Sequence, residues 1–179
     1  MNGLLTLSRG IDALNDKFAW FAKWAVLASC LISAANAVVR YVFNYSSNAF
    51  TEIQWYLFAA CVMLGAAQVM RINEHVRVDV LYGLYSGRTQ AKIDLAGMLL
   101  FVLPVMAVLI YYCWPLFAQM YRTNEMSSQS GGLIRWPVML MLTLGFALIM
   151  LQGVSEAIKR IGWLTNTYEG DFHYERPLQ

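Results

Sequence analysis

Residues 95–120 form an uninterrupted run of 26 positions without one charged side chain. A helix needs only about 20 apolar residues to cross a hydrocarbon layer, so this run can cross with residues to spare. Tilt or a kink is therefore expected, and Pro104 and Pro115 supply kink positions. Three more blocks, apolar except for Arg40, Glu52 and Glu156 near their ends, cover residues 24–43, 50–70 and 136–156. In lipid every backbone amide must be satisfied internally, which leaves helices as the conformation for such segments. The chain is 59% hydrophobic and 13% charged, and that charged share is about half of the usual value for a soluble domain. The sequence thus predicts an all-α integral membrane protein with four transmembrane helices. These belong to one domain over residues 1–164, followed by a short cytoplasmic tail over residues 165–179.

The segments between the blocks add detail. Leu4, Leu7, Ile11, Leu14, Phe18 and Phe21 recur every three or four residues, with Arg9, Asp12, Asn15, Asp16 and Lys17 between them. That spacing predicts an amphipathic helix over residues 3–21, lying along the membrane and running into the first span. Ala35-Asn36-Ala37 has the form of a signal-peptidase site, but apolar character continues to Val42, so a retained span is expected. Residues 71–85 are charged yet interleaved with Val76, Val80 and Leu84. Alternation from Glu74 to Val80 also fits a strand. Unpaired strand edges at a membrane surface favour a connector helix parallel to the membrane.

Basic residues set the expected orientation. With the N-terminus inside, ten of the 13 Lys and Arg residues fall in cytoplasmic segments, and only Arg40, Arg122 and Arg135 fall outside. Both termini and the connector are then cytoplasmic. Residues 44–49 and 122–135 are external loops.

Few residues carry chemistry. Arg40 closes the first span, and Glu52 with Trp55 opens the second. The short turn between them makes Glu52 the expected partner of Arg40. No acid or base interrupts the centres of the spans, where a transport site would place ionisable groups or broken helices. Cys30, Cys61 and Cys113 lie singly in apolar blocks, with no Cys/His cluster for a metal or redox centre. A net charge of +2 offers no nucleic-acid surface. No enzymatic machinery and no cofactor site are expected.

Four short patterns, in this order on a four-span frame, carry a resemblance. They are Arg40-Tyr41-Val42-Phe43 closing the first span, and Glu52 with Trp55 opening the second. His75-Val76-Arg77-Val78-Asp79 follows that span, and Glu125-Met126-Ser127 precedes a span starting at Trp136-Pro137. The chain resembles the small membrane subunit, the DctQ-like subunit, of tripartite ATP-independent periplasmic (TRAP) transporters. The resemblance implies a bacterial inner-membrane scaffold that binds membrane lipid and two protein partners. One partner is a large membrane subunit (DctM-like), which would transport an organic acid with a coupling cation, sodium by expectation. The other is a periplasmic substrate-binding protein (DctP-like). Arg40, Glu52, Trp55, His75, Arg77, Asp79, Glu125, Ser127, Trp136 and Pro137 become structural or interface candidates. Arg77 and Asp79 would meet partner charges or fix the connector locally. The alternative class, a small membrane anchor of a redox complex, would need paired histidines or periplasmic cysteines. The chain has only His75 and His173. A self-sufficient small exporter would need an acid inside the first span, which has none.

Overall fold

The computed structural model describes residues 2–45, 47–73, 82 and 84–168. Its helices are α1 (Asn2–Phe43), α2 (Asn48–Arg71), α3 (Gly87–Gly97), α4 (Leu103–Thr123) and α5 (Trp136–Leu164), with one π-helical turn at Met98–Val102 between α3 and α4. Among the described residues, four stretches are long and apolar enough to cross a membrane: Gly3–Phe43, Asn48–Arg71, Gly87–Thr123 and Trp136–Leu164.

Asparagine marks where each of these stretches stops. Asn44, Asn73, Asn124 and Asn166 all adopt positive φ, between 46° and 62°. Each lies within two residues of a helix end. Asparagine tolerates the left-handed conformation better than other residues with a Cβ, so it ends a helix where glycine is absent.

The third stretch is continuous but widened. The Leu103 amide donates to the Met98 carbonyl, an i to i−5 bond. Pro104 follows directly, with no N–H and a ring that would crowd the carbonyl of residue 100. The wider turn accommodates both defects. Pro115 sits inside α4 without interrupting it.

α5 is the hub of the bundle. It touches α1, α2, α3 and α4. Its buried positions include Gly145, Gln152, Gly153, Ser155, Glu156, Lys159 and Arg160, whereas α4 buries none. Gly145 permits the tightest helix contact. A Cβ there would come 2.6 Å from Met63 Cβ and 2.9 Å from the Met63 carbonyl oxygen. α1 and α2 run antiparallel, with Asp16 opposite Gln68 and Arg71, Ala22 opposite Gly65, and Ser29 opposite Gln54.

The N-terminal segment differs from the expected surface helix in a specific way. Residues 2–23 are helical, as their periodicity requires, and continue into the first span as one 42-residue helix. Its buried stripe is Ser8, Ile11, Asn15, Ala19 and Ala22, whereas Leu4, Leu7, Leu14 and Phe21 face outward. The polar stripe meets α5, and most of the apolar stripe is left outside. Beside a membrane this is the favourable arrangement, because lipid solvates apolar side chains and only protein can pair the polar ones. α5 also runs eight residues past the expected end of its span, to Leu164, because residues 155–162 pack against α1 and α3.

The expected connector helix over 71–85 falls largely on residues 74–81 and 83. It lies outside the described residues, and His75, Arg77 and Asp79 lie there with it. Residues 169–179 of the expected tail also lie outside them.

Candidate functional site: two polar layers at the ends of the bundle

Side-chain chemistry concentrates at two levels. Glu52 and Arg71, one in each layer, stand 19 residues apart on α2, about 28 Å at ~1.5 Å per residue. That separation matches the thickness of a bilayer hydrocarbon core, roughly 30 Å.

The first layer caps the loop end. Glu52 is 3% exposed. Its carboxylate accepts the Leu133 amide at 2.6 Å and the Ser127 hydroxyl. The 125–135 segment is folded back on itself by an isolated bridge between Met126 and Ile134. The Ser127 amide donates to the Leu133 carbonyl, and the Arg135 amide to the Glu125 carbonyl, both at 2.9 Å. An Arg135–Glu125 ion pair at 2.8 Å closes its base. Asn48 Nδ2 donates to the Ser130 carbonyl at 2.9 Å, and the Tyr56 hydroxyl to the Ile134 carbonyl at 3.1 Å. Glycine is required at 132: a Cβ there would meet Ser127 Cβ at 2.5 Å and Glu52 Oε1 at 2.9 Å. Trp136 starts α5 against Tyr121, ring edge to face at 5.4 Å, with Pro137 in the first turn.

The structure therefore brings Glu52, Glu125, Ser127, Trp136 and Pro137 to one end of the bundle. It does not place Arg40 with them as expected. Arg40 is exposed and forms no ion pair among the described residues, and Glu52 is satisfied by the loop instead. The reason is competition. The folded loop offers Glu52 an amide and a hydroxyl at fixed positions, whereas Arg40 would have to give up solvent and side-chain freedom. Trp55 is also exposed, on the outer face of α2.

A double-mutant cycle checks this correction. Glu52→Gln and Ser127→Ala should each lower the thermal midpoint of the purified chain by about 2–4 °C, and together by less than their sum. Arg40→Ala and Glu52→Gln should add without coupling. Clear coupling between Arg40 and Glu52 would restore the ion pair.

The second layer, at the end where α1 begins and α5 finishes, was not expected. Acid and base alternate across three helices. Asp12 meets Lys159 at 2.7 Å, Lys159 meets Glu156 at 2.7 Å, Glu156 meets Arg160 at 2.6 Å, and Arg160 meets Asp94 at 2.9 Å. Amides and hydroxyls fill the gaps. Gln152 donates to Asp12 at 3.0 Å and Glu156 at 3.1 Å, and accepts from Asn15 at 2.6 Å. Ser155 donates to Asp12 at 2.8 Å and shares a 2.7 Å hydrogen bond with Ser8. Beside it, Arg71 pairs with Asp16 at 2.6 Å, tying α2 to α1. Every carboxylate of the layer faces a cation, so the arrangement joins helices rather than presenting a vacant ligand set. Sequence spacing carried a signal for it. Ser8, Asp12 and Asn15 line one face of α1, and Gln152, Ser155, Glu156 and Lys159 line one face of α5. Read separately, each stripe looks like a water-facing surface.

A family model described as "Tripartite ATP-independent periplasmic transporters, DctQ component" matches residues 29–162. The chain belongs to this family. No curated protein and no solved structure matches it. The DctQ match contains the whole loop-end cap and the α5 half of the charged layer. It begins after Ser8, Asp12, Asn15 and Asp16, so the other half of that layer comes from the segment preceding the matched region. The family is a transporter component, and four membrane-length helices fit that description.

Proposed function

We propose that this chain is the small permease subunit of a TRAP transporter, a non-catalytic scaffold that anchors and stabilises the large membrane subunit. The large subunit then carries out cation-gradient-driven uptake of an organic acid delivered by a periplasmic binding protein. The coupling cation, sodium by expectation, is held by the large subunit. In this reading the chain lies in the bacterial inner membrane with both termini cytoplasmic, as the ten-to-three distribution of basic residues supports. The loop-end cap then faces the periplasm, where a binding protein approaches.

The observation that carries the reading is the DctQ match on a bundle whose ionisable residues keep to its ends. Between Glu52 and Arg71, Asp94 and Arg122, and Arg135 and Glu156, no acid or base interrupts a helix. Coupled transport needs an ionisable or broken-helix site near the bilayer midplane. The charged layer pairs its own acids and bases. That supports a rigid support rather than a moving carrier, because a moving site must exchange partners during its cycle.

Affinity purification tests the assembly. The tagged chain, co-expressed with the large subunit, should retain it in constant stoichiometry through detergent extraction and size exclusion. Recovery of the chain alone from membranes that contain both would contradict the proposal.

A further inference from the structure

No residue of α4 is fully buried, yet its outer face is not uniformly apolar. Pro104, Val108, Tyr111, Pro115 and Gln119 recur every three or four residues and are all exposed, so they share one outward face. Tyr111 and its neighbour Tyr112 are 73% and 71% exposed.

Their depth is what matters. Asp94 and Arg122 bound the charge-free run of this span, and Tyr111 stands 17 residues from the first and 11 from the second. At ~1.5 Å per residue it lies about 16 Å short of Arg122 and further still from Asp94. Half of a hydrocarbon core is about 15 Å. Both tyrosines therefore sit near the middle of the apolar layer, and their side chains are too short to carry a hydroxyl to either surface. Elsewhere on the bundle, outward aromatic side chains with a polar tip stand close to a charge, where headgroups and water reach them. Trp20 and Trp24 lie on either side of Lys23, Tyr41 follows Arg40, Trp55 is three residues from Glu52, and Tyr121 precedes Arg122.

Two hydroxyls and a carbonyl at this depth are left without their usual partners. The two tyrosine rings touch edge to face at 5.3 Å, but neither hydroxyl forms a hydrogen bond among the described residues. The Tyr56 hydroxyl, by contrast, donates to the Ile134 carbonyl. The α-helical donor for the Tyr111 carbonyl would be the amide of residue 115, which is proline and has none. Acyl chains supply neither donors nor acceptors, and a hydroxyl or carbonyl left in hydrocarbon costs free energy until something bonds to it.

We propose that the α4 face around Tyr111 and Tyr112 docks a transmembrane helix of the large subunit, and that this helix presents a polar side chain to the two hydroxyls at the bilayer midplane. The proposal rests on the reading of the chain as a TRAP small subunit and names the surface that reading requires. A subunit that performs coupled transport holds polar groups or broken helices at this depth by necessity. A second copy of this chain has no acid or base on α4 at that level and would offer only the same aromatic tips. Hydrogen bonds between helices are among the forces that hold them together in lipid.

Site-specific photocrosslinking in the co-expressed complex tests the face. A benzoylphenylalanine at Val108, on the same face as Tyr111, should give a covalent adduct with the large subunit. The same probe at Leu27 on α1 or Phe58 on α2, both exposed, should give at least tenfold less. Adducts at Val108 only with lipid or only with a second copy of this chain, or large-subunit adducts confined to Leu27 and Phe58, would each overturn the proposal. Tyr111→Phe with Tyr112→Phe keeps both rings and removes both hydroxyls. It should lower recovery of the large subunit about tenfold and leave the thermal midpoint of the chain alone unchanged. Undiminished recovery, or a lowered midpoint of the chain alone, would also overturn it. If the unmodified chain retains no large subunit, the subunit assignment itself fails. If it does retain one and the adducts arise elsewhere, only the α4 face fails.

Discussion

Lys159→Met should destabilise the chain by about 3–5 kcal/mol, the usual cost of removing one partner from a buried ion pair. Lys159 is only 8% exposed and stands 2.7 Å from both Asp12 and Glu156. Without its ammonium, Asp12 loses its cation and faces the Glu156 carboxylate, which keeps Arg160. Gln152 already donates to both and has no further amide hydrogen to offer. The loss should propagate into the contact between α1 and α5, since Asp12 also holds Ser155. Unfolding of the purified chain in mixed micelles, followed by far-UV dichroism, measures the effect. Lys92→Met is the control, because Lys92 is exposed and outside the layer, and it should change stability by less than about 0.5 kcal/mol. Adding Asp12→Asn to Lys159→Met should recover much of the loss, since a neutral amide no longer repels Glu156, which keeps Arg160. If Lys159→Met behaved like Lys92→Met, the layer would not be holding the helices together.

The expected effect depends on a part of the fold that the sequence displayed without revealing its use. The four spans were legible because hydrocarbon leaves helices as the only economical backbone, and charge-free runs of that length have no other stable setting. The candidates Glu52, Glu125, Ser127, Trp136 and Pro137 were legible too, and they meet at one end of the bundle. The partner of Glu52 was not. Arg40 is its nearest opposite charge along the hairpin, while its true donors include the backbone amide of Leu133, 81 residues away. An amide at such a distance leaves no mark in a list of side chains. The polar stripe of α1 was visible as a periodicity, but its direction was not. Periodicity separates two faces of a helix without saying which one meets lipid. The complementary stripe on α5 decides it, and that pairing spans more than 130 residues. The π-helical turn before Pro104 belongs to the same class: a proline announces a defect in hydrogen bonding, while packing chooses how the helix absorbs it.

The second large effect is an all-or-none dependence of transport. Under the proposed scaffold role, this chain should move no substrate alone, and its removal should abolish the activity of the proposed assembly. Uptake of radiolabelled organic acid into proteoliposomes under an inward sodium gradient measures this directly. The predicted result is uptake only when this chain, the large subunit and the loaded binding protein are present together, with background counts when any one is omitted. Gradient-dependent uptake by liposomes containing this chain alone, or full uptake by the large subunit and binding protein without it, would contradict the account.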